Sequence, residues 1–237
     1  MMKISPIGPL PSLSPSSTAV ESAGFDARLV IVPQHPSGAF LVEFARACYV
    51  EGDFRSPGGR ANAWLLDCRR RLGDGPTLRA VAAELARLIQ AQGSDQVAGT
   101  GFGAYLLVGG ILALHTQVAR GVLIRPQAKR YGTATMIEGS LDIRTPVCLV
   151  DDILNSGASA LDAVNKLRAY GCTDIRHLSV FCFDWGSGRR RLNEVGVSCE
   201  CLAVVGKAGP DRARMSPARA GCLWLARSWR RGLGRFR

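Results

Sequence analysis

The chain is expected to fold as an α/β protein, with a largely parallel sheet flanked by helices on both faces. Three observations lead there. From Gln96 to Val205, short apolar runs of strand length alternate with segments whose apolar residues recur at helical spacing. Glycine-bearing turns follow the strand candidates, notably Gly99 to Gly103. One strand runs directly into an acidic pair, a loop of small residues and a helix, an arrangement that belongs at the carboxyl end of a parallel strand.

Taken in order, residues 1 to about 25 are rich in Ser and Pro, lack periodicity and read as a disordered extension. A short strand is expected within Phe25 to Pro33, which contains ARLVIV. Phe40 to Val50 carries Leu41, Phe44, Ala45 and Cys48 at helical spacing. With the turn-rich stretch after Gly52 and the segment around Trp64, it predicts a small hood over residues 40–75. Pro76 to Gln92 is an amphipathic helix with Leu78, Val81, Leu85, Leu88 and Ile89 on one face and Gly93 ending it. A strand at Gln96–Ala98, a helix over Ala104–Ala119 and a strand at Gly121–Arg125 follow. Lys129 to Gly139 is polar and bounded by glycine, and reads as a mobile hairpin. The remaining expectations are strands at Pro146–Asp151, Ile175–Phe183 and Cys199–Val205, with helices over Ala158–Tyr170 and Arg189–Val195. The folded part thus spans 26–207, and 208–237 is a separate basic tail.

The 237 residues, 47% hydrophobic and 21% charged, suffice for one sizeable domain with extensions. No apolar run approaches the length of a membrane span, and the N-terminus makes a poor secretory signal. The eight cysteines are scattered and lack CxxC pairing, which argues against zinc and for buried reduced thiols in a cytoplasmic protein. Cys199 and Cys201 alternate along one strand and should face the same side. The net charge of +11 is concentrated in the tail, where Arg212, Arg214, Arg219, Arg227, Arg230, Arg231, Arg235 and Arg237 lie. Such a tail is either a nucleic-acid contact or a solvated basic terminus.

Residues Val147 to Ser159 read VCLVDDILNSGAS. Asp151 and Asp152 close an apolar run; Asn155, Ser156, Gly157, Ala158 and Ser159 form a small polar loop; Ala160, Leu161, Val164 and Leu167 then continue as a helix. The loop can aim backbone N–H groups and hydroxyls at a phosphate, and the helix start adds unpaired donors and a favourable dipole. The acids are placed to accept hydrogen bonds from ribose hydroxyls. A simpler reading makes Asn155 or Ser156 an ordinary N-cap, and the two can coexist. The stretch is not a Walker A loop, because it lacks the Gly-Lys-Ser/Thr ending. His35, His115 and His177 are isolated and show no ligand spacing.

This motif resembles the phosphoribosyl pyrophosphate (PRPP) loop of type I phosphoribosyltransferases. The order of the other segments resembles the orotate phosphoribosyltransferase family over residues 40 to 205. These are Gly52-x-Phe54, the turn Gly99–Gly103, Arg125 with Lys129 and Gly132, Ile137-Glu138-Gly139, and Phe183-Asp184 with Gly188. The resemblance implies a type I phosphoribosyltransferase-like fold with a hood and a mobile loop. It also implies transfer of ribose 5-phosphate from PRPP to orotate with Mg²⁺, and a homodimer whose loop crosses the interface. Asp151 and Asp152 would hold ribose hydroxyls, directly or through Mg²⁺ and water. Residues 155–159 would cradle the 5-phosphate, Gly101 and Gly103 the pyrophosphate, and Arg125 and Lys129 would supply cations. The chain departs from the family at several positions. Pro126, Gln127 and Tyr131 replace its lysine, glutamate and histidine, Pro57 its hood lysine, and Trp185 the arginine that grips the orotate carboxylate. Gly103 stands where some members have lysine. Trp185 either stacks on the base or anchors its loop, and Arg189, four residues on, would reach back toward the base only by a different loop path. An alternative is a PRPP-binding regulator without turnover.

Overall fold

A computed structural model describes residues 29–55, 59, 61–115, 117–127 and 135–207. The N-terminal extension, Lys129 to Gly132, Pro57 and the arginine tail lie outside the described residues.

A seven-stranded sheet organises the chain, in the order β1-β9-β8-β7-β4-β5-β6. Its parallel centre comprises β4 (Gln96–Thr100), β5 (Arg120–Ile124), β7 (Val147–Leu154), β8 (Ile175–Phe183) and β9 (Ser198–Lys207). Both edges are antiparallel: β1 (Leu29–Pro33) on β9, and β6 (Ile137–Gly139) on β5. The alternating pattern predicts the parallel centre; the edge directions are set by pairings that the pattern does not encode. The expected hairpin at the loop is therefore β5 and β6, with residues 128–134 between them outside the description.

The helices α1 (Gly38–Cys48), α2 (Cys68–Leu72), α3 (Gly75–Ala91) and α4 (Phe102–Leu114) bury their apolar residues against one face of the sheet. On the other face lie α5 (Ala158–Ala169) and α6 (Gly188–Glu194). In β7, Cys148 and Val150 join the first cluster while Val147 and Leu149 join the second, as strand alternation requires. Helix α3 begins where Asp74 caps it, accepting from Thr77 N at 3.1 Å and from Thr77 Oγ1 at 2.7 Å. Helix α4 stops at Leu114, five residues short of its expected end, because the chain must turn to begin β5 at Arg120. His115 consequently ends α4 as its C-cap instead of lying within it.

The hood is a two-stranded antiparallel sheet of β2 (Tyr49–Arg55) and β3 (Ala61–Leu66). Trp64 ties it to the main sheet: it stacks on Tyr49 at 5.8 Å and meets Phe183 edge-on at 6.1 Å. Offset and edge-to-face pairs of this kind add to area burial, so the hood is held by aromatic packing over the ends of the strands.

Candidate functional site

Because β4, β5, β7, β8 and β9 run the same way, their carboxyl ends share one edge of the sheet. Gly101, Arg125, Asn155, Asp184 and Lys207 stand at or just beyond those ends. The site expected from sequence is therefore assembled at one edge.

The strand carrying the acids runs on to Leu154, so Asp151 and Asp152 lie within β7 and not just after it. The β7–β8 ladder pairs Asp151 with Ser179 and Ile153 with Phe181, leaving Asp152 outside it. The backbone there turns its donors to the acids: Asp152 N donates to Asp151 Oδ1 at 2.9 Å, and Ile153 N to Asp152 Oδ1 at 3.0 Å. Both acids are partly buried. Burial first, and then the charge of Asp152, push the Asp151 carboxyl well above the usual carboxylate range. The Asp152 carboxylate lies against Gly103 at the start of α4, where any side chain would overlap it. Gly103 thus makes room for an acid here, in place of the lysine some family members carry.

After Leu154 the loop exposes Asn155, Ser156, Ala158 and Ser159 and buries Gly157. Gly157, at φ +73°, is itself the N-cap of α5, and no side chain caps the helix. The expected Asn155 or Ser156 cap is not formed; Ser156 Oγ only accepts from Ala158 N at a long 3.4 Å. The start of α5 thus carries no side-chain cap. The loop leans on the start of α6. Gly188 N donates to Asn155 O at 2.7 Å, and Arg191 Nη1 to Ser156 O at 2.7 Å. A methyl group on Gly157 would meet Gly188 Cα at 2.7 Å. Sequence reading missed Arg191, which sits in an Arg-Arg-Arg run whose helical phase was the only available signal.

At the β4 end, Gly101 has φ +85°, a conformation that favours glycine, and opens α4. Arg125 follows β5 and is held by Glu138 through an Nε–Oε1 contact of 3.0 Å. Lys166 of α5, also missed from sequence, donates to the carbonyls of Arg125 and Pro126, each at 2.9 Å. It ties α5 to the end of β5. Lys129 lies outside the described residues.

Two carboxylates are the metal-binding material available, and no group of three or more His, Cys, Asp or Glu among the described residues could hold a metal ion. Two hard oxygen donors suit a magnesium ion that draws its remaining ligands from water and substrate oxygens.

No protein-family model matches the chain. Among curated proteins, the orotate phosphoribosyltransferase of Halobacterium salinarum is 38% identical over 156 residues, covering 65% of this chain and 85% of that protein. The chain belongs to the orotate phosphoribosyltransferase family. The orotate phosphoribosyltransferase of Haloquadratum walsbyi is 33% identical, over 73% of this chain and 93% of that one. The crystal structure of the Aeropyrum pernix orotate phosphoribosyltransferase superposes with a TM-score of 0.54 at 25% identity, covering 70% and 92% of the two chains. The Mycobacterium tuberculosis orotate phosphoribosyltransferase, solved in complex with PRPP, shares the fold at a TM-score of 0.59 and 21% identity, covering 71% and 94%.

Within this orotate phosphoribosyltransferase fold, the two expected base contacts part company. Trp185 is 39% exposed beside the strand ends, stacked on Phe183 at 4.9 Å and edge-on to Trp64 at 6.5 Å. Its packing anchors the loop and leaves part of the indole open. Arg189 lies half-buried in the first turn of α6. Its Nη2 donates to Cys201 Sγ at 3.2 Å and its Nε is buried without a partner, because α6 directs the side chain onto β9. Cys182, Cys199 and Cys201 bury on that same face, as the alternation of 199 and 201 predicts.

Proposed function

We propose that this protein transfers ribose 5-phosphate from PRPP to a ring nitrogen of orotate, releasing pyrophosphate in a step of pyrimidine nucleotide synthesis. One observation carries the reading: the acidic pair, the exposed loop 155–159, the Gly101 turn and the hood share one edge of the sheet. The names of the relatives support the acceptor, and the PRPP complex of a structural neighbour supports the donor.

The residues divide the work by chemistry. Ser156, Ser159 and the free N–H groups of the α5 start bind the 5-phosphate. Asp151 and Asp152 orient the ribose hydroxyls, which places the anomeric carbon near the hood. Gly101 lets backbone N–H groups approach pyrophosphate. Bond breaking leaves an oxocarbenium-like centre and a highly charged leaving group, so cations and exclusion of water count for more than a nucleophile. Arg125, fixed by Glu138, and Lys129 are the cations assigned to that role. Mg²⁺, held by Asp151 and Asp152 through water, would neutralise charge on the substrate's phosphate oxygens.

Two further features complete the proposal. Helix α4 is apolar all round and exposes Phe102 (79%) and, one turn on along the same face, Leu106, an apolar surface that fits a second copy of the chain. Among the described residues, seven buried, unbridged thiols support a reducing compartment such as the cytoplasm. Among the described residues no helix is long and apolar enough to cross a membrane. The deciding measurement is pyrophosphate release from PRPP with orotate and Mg²⁺. It should be present in the full chain and lost when Asp151→Asn and Asp152→Asn are combined. No release from the unaltered protein with orotate overturns the reading.

A further inference from the structure

The family's carboxylate-gripping arginine is Trp185 here, and the nearby Arg189 is turned onto Cys201. A second neighbour, Arg190, is engaged with Glu194 at 2.9 Å. An anionic acceptor therefore needs a cation from elsewhere. At the carboxyl end of β9, Lys207 places Nζ 5.3 Å from the centroid of the Trp185 ring. The side chain is exposed and stands on the same sheet edge as the acids.

We propose that Lys207, held over Trp185, reads the carboxylate of the acceptor base and of the nucleotide product in place of the missing arginine. This rests on the transferase reading above and names the specificity determinant of that site.

Three observations support the assignment. The first is position. The loop that would bind the 5-phosphate packs on Gly186 to Gly188, so Trp185 adjoins the phosphate subsite. A base joined to the ribose between that loop and the hood comes within reach of the exposed indole. The second is rigidity. Trp185 is wedged by Phe183 on the main sheet and Trp64 in the hood, and the Asp184 N–H bonds Val205 O at 3.1 Å, which ties the loop to β9. The ring gives the ammonium a fixed seat, because its negative face attracts the cation electrostatically. The third is chemistry. A lysine is a compact point charge without the fork of arginine, so it meets a carboxylate through one contact.

The test uses the full-length chain and binding of two product nucleotides, read by intrinsic tryptophan fluorescence and by calorimetry. Orotidine 5′-monophosphate and uridine 5′-monophosphate differ by the carboxylate alone. The unaltered protein should prefer the former by about ten- to a hundredfold, the range of one charge-assisted hydrogen bond. Lys207→Met should erase that preference by weakening orotidine monophosphate while leaving uridine monophosphate binding unchanged, and Lys207→Arg should restore it. The proposal is overturned if the unaltered protein does not discriminate, if Lys207→Met keeps the preference, or if it weakens both nucleotides alike. Pyrophosphate release is read separately. Its absence in a protein that discriminates the nucleotides would sink the transferase reading and leave the lysine assignment standing.

Discussion

Asp151 and Asp152 are neighbours in sequence with unlike surroundings. Asp152 rests against the open space left by Gly103, while Asp151 is desolvated and faces the charge of its neighbour. A carboxyl whose folded-state pKa is raised binds more protons in the folded than in the unfolded chain, so ionising it costs stability as pH rises through the raised value. The structure thus buries a carboxyl that is costly to ionise at the spot where ribose hydroxyls would bind. Asp151→Asn should therefore raise the thermal midpoint at pH 8, by ~2–4 °C for each kcal/mol relieved, while weakening PRPP binding severely. The stabilisation should shrink toward acid pH, where the native carboxyl is already neutral. Calorimetric scans at pH 5 and pH 8, with a PRPP titration, check both halves. A variant less stable than the parent at pH 8 would contradict the electrostatic account. The presence of this acidic pair was legible from sequence, since two adjacent acids after an apolar run are visible by eye. Their unequal environments were not, because these depend on α4 meeting β7, a contact between residues about fifty apart.

At the scale of elements, α5 with its preceding loop shows what local patterning conveys. The apolar phase of Ala160, Val164 and Leu167 predicts the helix, and its observed bounds differ from expectation by one residue. The capping chemistry was misjudged, because Asn155 and Ser156 have the right side chains but Gly157 takes the cap position with φ +73°. The reason lies in α6, whose Gly188 backbone fills the space beside Gly157. Likewise, Arg189 was assigned by distance along the chain, whereas the helical phase of α6 points it to β9 and leaves Arg191 to support the loop. Gly157→Ala should cost about 1–3 kcal/mol from backbone strain, and more if the Gly188 contact cannot relax. It should also raise the KM for PRPP by displacing the first-turn donors. Urea unfolding with steady-state kinetics measures the two effects, and a variant with parental stability and KM would refute the packing argument.

For the whole molecule, two features concern how the folded chain meets its surroundings. His177 lies wholly buried in β8 with neither ring nitrogen bonded, and burial, aided by Arg189, lowers its pKa to about 4 from an ordinary 6.5. The unfolded chain takes up that proton first, so stability should be lost as pH falls from 6.5 toward 4, by roughly 3 kcal/mol at most. His177→Leu should flatten this acid limb in urea titrations; an unchanged limb would clear His177 of the role. The other feature is the apolar stripe of α4. The sequence of α4, apolar on every side, reads as a buried helix, yet only one side meets α3 and the sheet while Phe102 and Leu106 face outward. A monomer would leave this surface in water, whereas a two-fold pairing would let each stripe cover the other. Leu106 lies a full turn from the Gly101 turn, so Leu106→Arg should disrupt association without altering the pyrophosphate turn itself. Sedimentation velocity should show the parent at twice the monomer mass and the variant shifted to monomer, with catalysis falling if the cations of one copy serve the site of the other. A parent that sediments as a monomer across the micromolar range would show that α4 serves another purpose.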